Sequence, residues 1–316
     1  TVITAKWDYL HRIFAQEGER TLASPSFKRF YADNESWLRP YAAYCYLRDK
    51  YGTPDYTQWG DDSVYNADHD EAVGPIYLFI QYHLHLQLKR AADYAHSHGV
   101  VLKGDIPIGI SRTSVEAWCH PGLFCLESQA GAPPDAFARD GQNWGFPTYN
   151  WRAMATERYH WFKQRFTKMA DYFDAYRIDH LLGFFRIWEI PGHTKSGLLG
   201  HFNPAMPLTI EEIISAGINF YKERYAMPFT MDDETDVLFV EDPYQPGTYH
   251  PRISGFETES FKALSENERR AFYALHDNFY YHRHNDFWYG EAMKKLPALV
   301  DSTDMLVCGE DLGMIP

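Results

Sequence analysis

Ala175-Tyr176-Arg177-Ile178-Asp179 decides how this chain reads: a short apolar run closed by an acidic residue. The same form recurs upstream in Val100-Val101-Leu102-Lys103-Gly104-Asp105 and downstream in Met305-Leu306-Val307-Cys308-Gly309-Glu310. Each run reads as a buried strand of a parallel sheet with its carboxylate at the C-terminal end. Between the first two runs lie a long irregular stretch, Ile106 to Trp151, and a helix expected over 152–173, with Phe162, Phe166, Met169 and Phe173 on one face. Strand, loop, helix, strand is a βαβ unit, which implies a parallel sheet. In α/β barrels the C-terminal strand ends collect catalytic groups, because the βα loops there form the pocket. Carboxylates from several strands suit acid/base and nucleophilic chemistry on an uncharged substrate, and glycoside chemistry uses such a pair.

Outward from these strands the chain is helical at first. Ser24-Pro25-Ser26 can start a helix, with Pro near the first turn. Trp37, Leu38, Tyr41, Tyr44, Cys45 and Leu47 recur at helical spacing, and Gly52-Thr53-Pro54-Asp55 makes a turn. Residues 60–73 are acidic and polar. A long helix is expected from Pro75, with Ile80, Leu84, Leu88, Ala91 or Ala92, and Ala95 on its buried face and Gly99 beyond its end. Its histidines (His83, His85, His96, His98) fall in pairs two apart, which point away from each other on a helix, so no metal is expected there. Residues 192–258 mix Gly, Pro and acidic clusters, notably Met231-Asp232-Asp233-Glu234-Thr235-Asp236, and 259–296 are helical in tone.

Composition narrows the function classes. The 316 residues suffice for one large or two ordinary domains. With 30 basic and 43 acidic residues the net charge is −13, which argues against a nucleic-acid binder. Aromatics reach 17%; many must be core, but Trp and Tyr faces also suit a sugar cleft. Cys45, Cys119, Cys125 and Cys308 make no CxxC pair and read as free thiols in a reducing, cytoplasmic setting. No run has the ~18 consecutive apolar residues of a membrane span, and Thr1 to Ala15 lacks the form of a signal peptide.

Arg177 and Asp179 are two apart on a strand and share a face. A neighbouring positive charge would lower the carboxylate's pKa and keep it ionised, as a glycosidic nucleophile must be; a structural ion pair at a sheet end fits the spacing equally. Glu310, between Gly309 and Asp311-Leu312-Gly313, suits a protonated acid that later acts as base, although Asp311 rivals it and an acidic turn is the plain alternative. Gly131-Ala132-Pro133-Pro134-Asp135 and Gly141-Gln142-Asn143-Trp144-Gly145-Phe146-Pro147-Thr148-Tyr149-Asn150-Trp151 combine rigid turns, amides and rings that could grip sugar hydroxyls, or could simply cover a barrel end.

Four segments together resemble the 4-α-glucanotransferases (amylomaltases, or disproportionating enzymes) of glycoside hydrolase family 77, in the branch of Bacteroides-type and plant cytosolic enzymes. They are Gly104-Asp105-Ile106-Pro107-Ile108; the two loop stretches just quoted, as far as Pro147; Tyr176-Arg177-Ile178-Asp179-His180 running on to Phe184-Phe185-Arg186-Ile187-Trp188-Glu189-Ile190-Pro191; and Gly309-Glu310-Asp311-Leu312-Gly313. The resemblance implies an α/β fold, a (β/α)8 TIM-barrel catalytic domain with helical inserted subdomains, needing no metal or organic cofactor. It implies Asp179 as nucleophile, Glu310 as general acid/base, and Asp105, Asp135, Gln142, Trp144 and Arg177 as substrate-binding residues. The expected substrates are maltooligosaccharides or α-glucans, with no nucleic-acid or membrane partner.

Two departures accompany it. The family's third carboxylate, in a His-Asp pair after the Glu310 segment, has no match, since His276-Asp277-Asn278 precedes Glu310 and reads as helical surface. The family's opening barrel strand is also not evident. The chain is therefore expected to be an internal piece with an incomplete barrel, weak or inactive alone, whose open sheet edges could pair into oligomers. Its expected parts are a helical segment 1–74, barrel βα units 75–191, an inserted and mostly helical subdomain 192–300, and the acid/base strand 301–316. An α-glucan hydrolase and a non-catalytic glucan-binding module remain the alternatives.

Overall fold

The computed structural model describes residues 1–66, 68–69, 74–227 and 236–310. Most of the acidic run (231–235), part of the polar stretch 60–73, Asp311 and Gly313 lie outside the described residues. The chain divides into two compact units.

The first unit takes residues 1–103, 111–121 and 168–174. It holds helices α1 (Val2–Ala23), α2 (Pro25–Tyr51), α3 (Pro75–Ser97) and α4 (Val115–Cys119). Ser24 separates the first two: its hydroxyl accepts the Phe27 N–H at 3.2 Å, and Pro25 fills the first turn, where no helical N–H is lost. Gly52, at φ 69°, ends α2 in the left-handed conformation. Phe27, Phe30 and Leu38 pack with Tyr82 of α3, the Phe27 ring edge-on to Tyr82 at 5.5 Å.

The buried face of α3 differs from the expected one. Ile76, Phe79, Tyr82 and Ala92 are buried, while Leu84 and Leu88 are 51% and 39% exposed. The aromatic rings offer more surface to remove from water than the leucines, and they take the core side. The α3 histidines take separate contacts: His85 meets the Tyr172 hydroxyl at 2.8 Å and His96 meets Asp174 at 2.9 Å.

The second unit takes residues 104–110, 122–167 and 175–316. Its strands are β1 (Lys103–Ile106, entering from the first unit), β2 (Phe124–Cys125), β3 (Ser128–Ala132), β4 (Gln142–Asn143), β5 (Thr148–Tyr149), β6 (Ala175–Ile178) and β7 (Ile187–Pro191). They continue with β8 (His201–Asn203), β9 (Leu208–Thr209), β10 (Ala226–Met227), β11 (Phe239–Glu241), β12 (Thr248–Pro251) and β13 (Leu306–Gly309). Its helices are α5 (Trp151–Thr156), α6 (His160–Met169), α7 (Ile210–Ser215), α8 (Lys222–Tyr225), α9 (Glu259–Lys262), α10 (Glu266–Tyr281) and α11 (Asn285–Val300).

The three acid-tipped runs form one sheet in the order β1-β6-β13, with β13 parallel to β6 from Leu306 opposite Ala175 to Gly309 opposite Ile178. The central strand is buried as expected, as is Ile106 on β1. Tyr176 and Ile178 are 0% and 1% exposed. On the flanking strands Val100 and Val101 fall outside β1 and are exposed, and Leu306 is 68% exposed. A flanking strand in a three-stranded sheet has a neighbour on one side only, so its side chains find less cover.

The helix expected over 152–173 is two helices. Arg158 and Tyr159 adopt left-handed φ values of 52° and 59°, which breaks the backbone between α5 and α6. Phe162 and Phe166 are buried.

Three further sheets carry the rest: an antiparallel sheet β4-β3-β7-β8, a mixed sheet β10-β11-β12-β9 in which β10 runs parallel to β11, and a two-stranded antiparallel sheet β2-β5. Residues 192–258 thus contain strands as well as short helices, while 259–300 are helical. A single large core binds the two larger sheets to α10 and α11, centred on Trp188, Phe202, Phe239, Phe272, Phe279 and Trp288. Each such side chain contributes roughly 1.5–3 kcal/mol on burial. No described helix is long and apolar enough to cross a membrane.

Candidate active site

Strand geometry places the acidic residues together. Along β6 the side chains alternate, so Tyr176 and Ile178 enter the core while Arg177 and Asp179 face the other way. The ladder continues one step past the strands: the Asp179 N–H donates to the Ile106 carbonyl and the Glu310 N–H to the Ile178 carbonyl, both at 3.0 Å. Asp105, Asp179 and Glu310 therefore sit near the C-terminal ends of three adjacent strands.

Arg177 ties them together. Its Nη1 donates to both Asp105 oxygens at 3.0 and 2.8 Å. Its Nη2 reaches Asp179 at 2.9 Å and Glu310 at 2.8 Å. Glu310 Oε2 also accepts the backbone N–H of His180 at 2.8 Å. That N–H is aimed by the left-handed conformation of His180, φ 49°.

The carboxyl groups of Asp179 and Glu310 are in hydrogen-bond contact, and their acidities move apart. Burial, then the contact with Glu310, raises Asp179 above the ordinary carboxylate range despite Arg177. The His180 N–H, with help from Arg177 and Asp179, holds Glu310 below its ordinary range. This corrects the expectation that Arg177 alone would keep Asp179 the more acidic. Arg177 serves both groups and each accepts a backbone N–H, Glu310 from His180 and Asp179 from Ile108, but on Asp179 burial and the contact with Glu310 outweigh these.

Of the remaining expected residues, two join this cluster. Trp144 packs edge-on against the His180 ring at 5.0 Å and lies face to face with Phe146 at 5.8 Å. Its indole N–H donates to Gln142 Oε1 at 3.1 Å. Sheet pairing holds this loop: Gln142 pairs with Ala132, and the Trp144 N–H donates to the Ala130 carbonyl at 2.9 Å. Gly131 has to be glycine, because a Cβ there would run into the Gln142 backbone. Asp135 is used differently. Its exposed carboxylate accepts the N–H groups of Phe137 and Ala138 at 2.8 and 2.7 Å, shaping its own loop.

Two contributors were not singled out by sequence. His180 lies within the Arg177–Asp179 segment, but its backbone role depends on a conformation that residue type does not announce. Glu189 is fully buried and accepts from Thr148 at 2.6 Å, Asn203 at 2.9 Å and Tyr244 at 2.7 Å. Three donors around one buried carboxylate make a core hub that braces β7, β8 and β5.

The family model described as 4-alpha-glucanotransferase matches residues 1–316. The 4-alpha-glucanotransferase DPE2 of Oryza sativa subsp. japonica is 37% identical, over 99% of this chain and 41% of that protein. The 4-alpha-glucanotransferase of Chlamydia muridarum is 33% identical over 52% of this chain and 32% of its own length. Among solved structures, the amylomaltase from Streptococcus agalactiae in complex with acarbose superimposes with a TM-score of 0.54 at 26% identity, covering 62% of this chain and 43% of that one. The chain thus spans less than half the length of these relatives.

Proposed function

The chain belongs to the 4-alpha-glucanotransferase family, glycoside hydrolase family 77, and from that premise we propose that it carries the nucleophile and the acid/base of a retaining α-1,4-glucan transfer between maltooligosaccharides. The observation that carries the proposal is Arg177 gathering Asp105, Asp179 and Glu310 at the ends of adjacent strands.

In this reading Asp179 attacks the anomeric carbon while the bond to the leaving glucan breaks, and Glu310 gives that glucan's oxygen its proton. The 4-hydroxyl of an acceptor sugar then loses its proton to Glu310 and attacks the same carbon, releasing Asp179. The step needs one proton on the carboxyl pair, held by Glu310. In the ligand-free chain Asp179 is the stronger holder. A retaining pair works at about 5–5.5 Å with a sugar between the groups, so glucan entry has to part the present contact. Parting removes the Glu310 contact, which with burial favours the proton on Asp179. Exclusion of water by the sugar raises Glu310 toward its acid role.

Asp105 and Arg177 line the sugar site in this account, Trp144 stacks on a ring with Gln142 beside it, and Asp135 shapes the loop that borders them. The three parallel strands are read as part of a (β/α)8 barrel with inserted subdomains. Four free thiols fit a cytoplasmic setting.

The test is product analysis with maltotriose, using this chain and the longest natural protein that contains it, beside Asp179→Asn. Glucose together with longer maltodextrins, absent in Asp179→Asn, supports transfer. Shorter sugars alone would make it a hydrolase. Unchanged maltotriose with retained glucan binding would make it a binding module.

A further inference from the structure

A second polar constellation lies between two of the other sheets of the same unit. His201 opens β8, Asp242 follows β11, and His250 sits within β12. They are 1%, 5% and 1% exposed. One ligand-type atom from each lies within 4.8 Å of the others. The imidazoles of His201 and His250 stack at 4.3 Å between centroids. His250 Nε2 meets Asp242 Oδ2 at 2.7 Å, while its buried Nδ1 has no hydrogen-bond partner among the described residues.

We propose that His201, Asp242 and His250 form a structural site for a divalent transition cation of the zinc class. Two imidazoles and one carboxylate are a donor set such ions favour. With bonds near 2.0–2.1 Å, tetrahedral ligand atoms stand about 3.3 Å apart, so the cation would replace the 2.7 Å His250–Asp242 hydrogen bond, parting that pair slightly while His201 closes in. Asp242 is already oriented for the role. Its Oδ1 accepts the N–H groups of Tyr244 and Gln245 at 2.8 and 2.7 Å, which turns Oδ2 toward the imidazoles. Tyr244 in turn donates its hydroxyl to Glu189, linking the site to the buried hub.

Burial between two sheets points to a closed, fold-bracing site rather than one that meets substrate. A plain buried Asp–His hydrogen bond is the competing account. The two differ in whether the folded chain takes up metal.

The test uses the tag-free full chain, stripped with chelator and checked for folding by circular dichroism. Cobalt(II) is titrated in and its ligand-field absorption followed, then displaced with zinc; zinc-dependent thermal shifts are read in parallel. The proposal expects one equivalent per chain, a higher melting point with zinc, and affinity lower by about 100-fold or more in His201→Gln and Asp242→Asn. Asp179→Asn should bind as wild type does, which separates this site from the proposed glucan site. Should a variant fail to fold, the wild-type stoichiometry and zinc shift still decide the matter. A folded, stripped chain that takes up no cobalt or zinc overturns the proposal, as does uptake unchanged in folded His201→Gln and Asp242→Asn.

Discussion

Arg177 Nη2 donates to Glu310 Oε2 at 2.8 Å while the same nitrogen lies 2.9 Å from Asp179. One guanidinium thus binds two carboxyl groups across neighbouring strands and grips a third, Asp105, with its other arm. A lysine cannot repeat this, because a point ammonium lacks the planar fork. Both Arg177→Gln and Arg177→Lys should lower kcat by about 10² or more, as removing other electrostatic stabilisers does. Steady-state kinetics on the active protein would check this, and a Lys variant near wild-type rate would refute the fork.

The opposed acidities of Asp179 and Glu310 predict opposed stability effects. Asp179 is raised, so its protonated form favours folding at pH below its unfolded value of about 4, and that contribution is lost as pH rises through the folded value. Glu310 is lowered, so its contribution is present above the unfolded value and is lost as pH falls through the folded one. Near neutrality Asp179→Asn should therefore melt higher than wild type and Glu310→Gln lower. The Asp179→Asn difference should shrink as pH falls through the raised folded value and be gone near the unfolded value of about 4, whereas the Glu310→Gln difference should shrink only as pH falls below about 4. Calorimetry across pH reads both signs at once.

Trp144 stands against His180 and is held by Gln142. If its ring supports a sugar, Trp144→Ala should raise KM by about tenfold, the loss of roughly 1.4 kcal/mol, with a smaller effect on kcat. A large kcat loss at unchanged KM would assign the ring to the chemistry instead.

Gly131→Ala forces a Cβ into the Gln142 backbone where β3 meets β4. Overpacking of this kind costs about 1–3 kcal/mol, to be read from urea denaturation midpoints. Glu189→Ala should cost at least as much, because it leaves the Thr148, Asn203 and Tyr244 donors unsatisfied in a buried site.

Legibility in sequence followed locality. The acid-tipped strands could be read because each is a contiguous run, and Arg177 beside Asp179 because a strand repeats every two residues. The buried side of α3 could not, since its leucines and its rings both recur at helical spacing and only the packing surface chooses between them. The break at Arg158 and Tyr159 rests on backbone angles that these residue types rarely adopt. The reversal between Asp179 and Glu310 depends on the burial of Asp179 and on a backbone N–H from His180, both set by tertiary packing. The His201–Asp242–His250 cluster brings β8 of one sheet against the β11–β12 hairpin of another, a packing that no spacing rule reaches.

The central claim is that Asp179 is the nucleophile with Glu310 as its acid/base, and its most direct test is covalent trapping. The active protein is treated with a 5-fluoro-α-glucosyl fluoride, a substrate that forms the glycosyl-enzyme faster than it is turned over, and digested for peptide mass spectrometry. The account predicts one added fluoroglucosyl group on the Asp179 carboxylate, and none in Asp179→Asn. A label on Glu310, on Asp105 or elsewhere, with Asp179 unmodified, would contradict it.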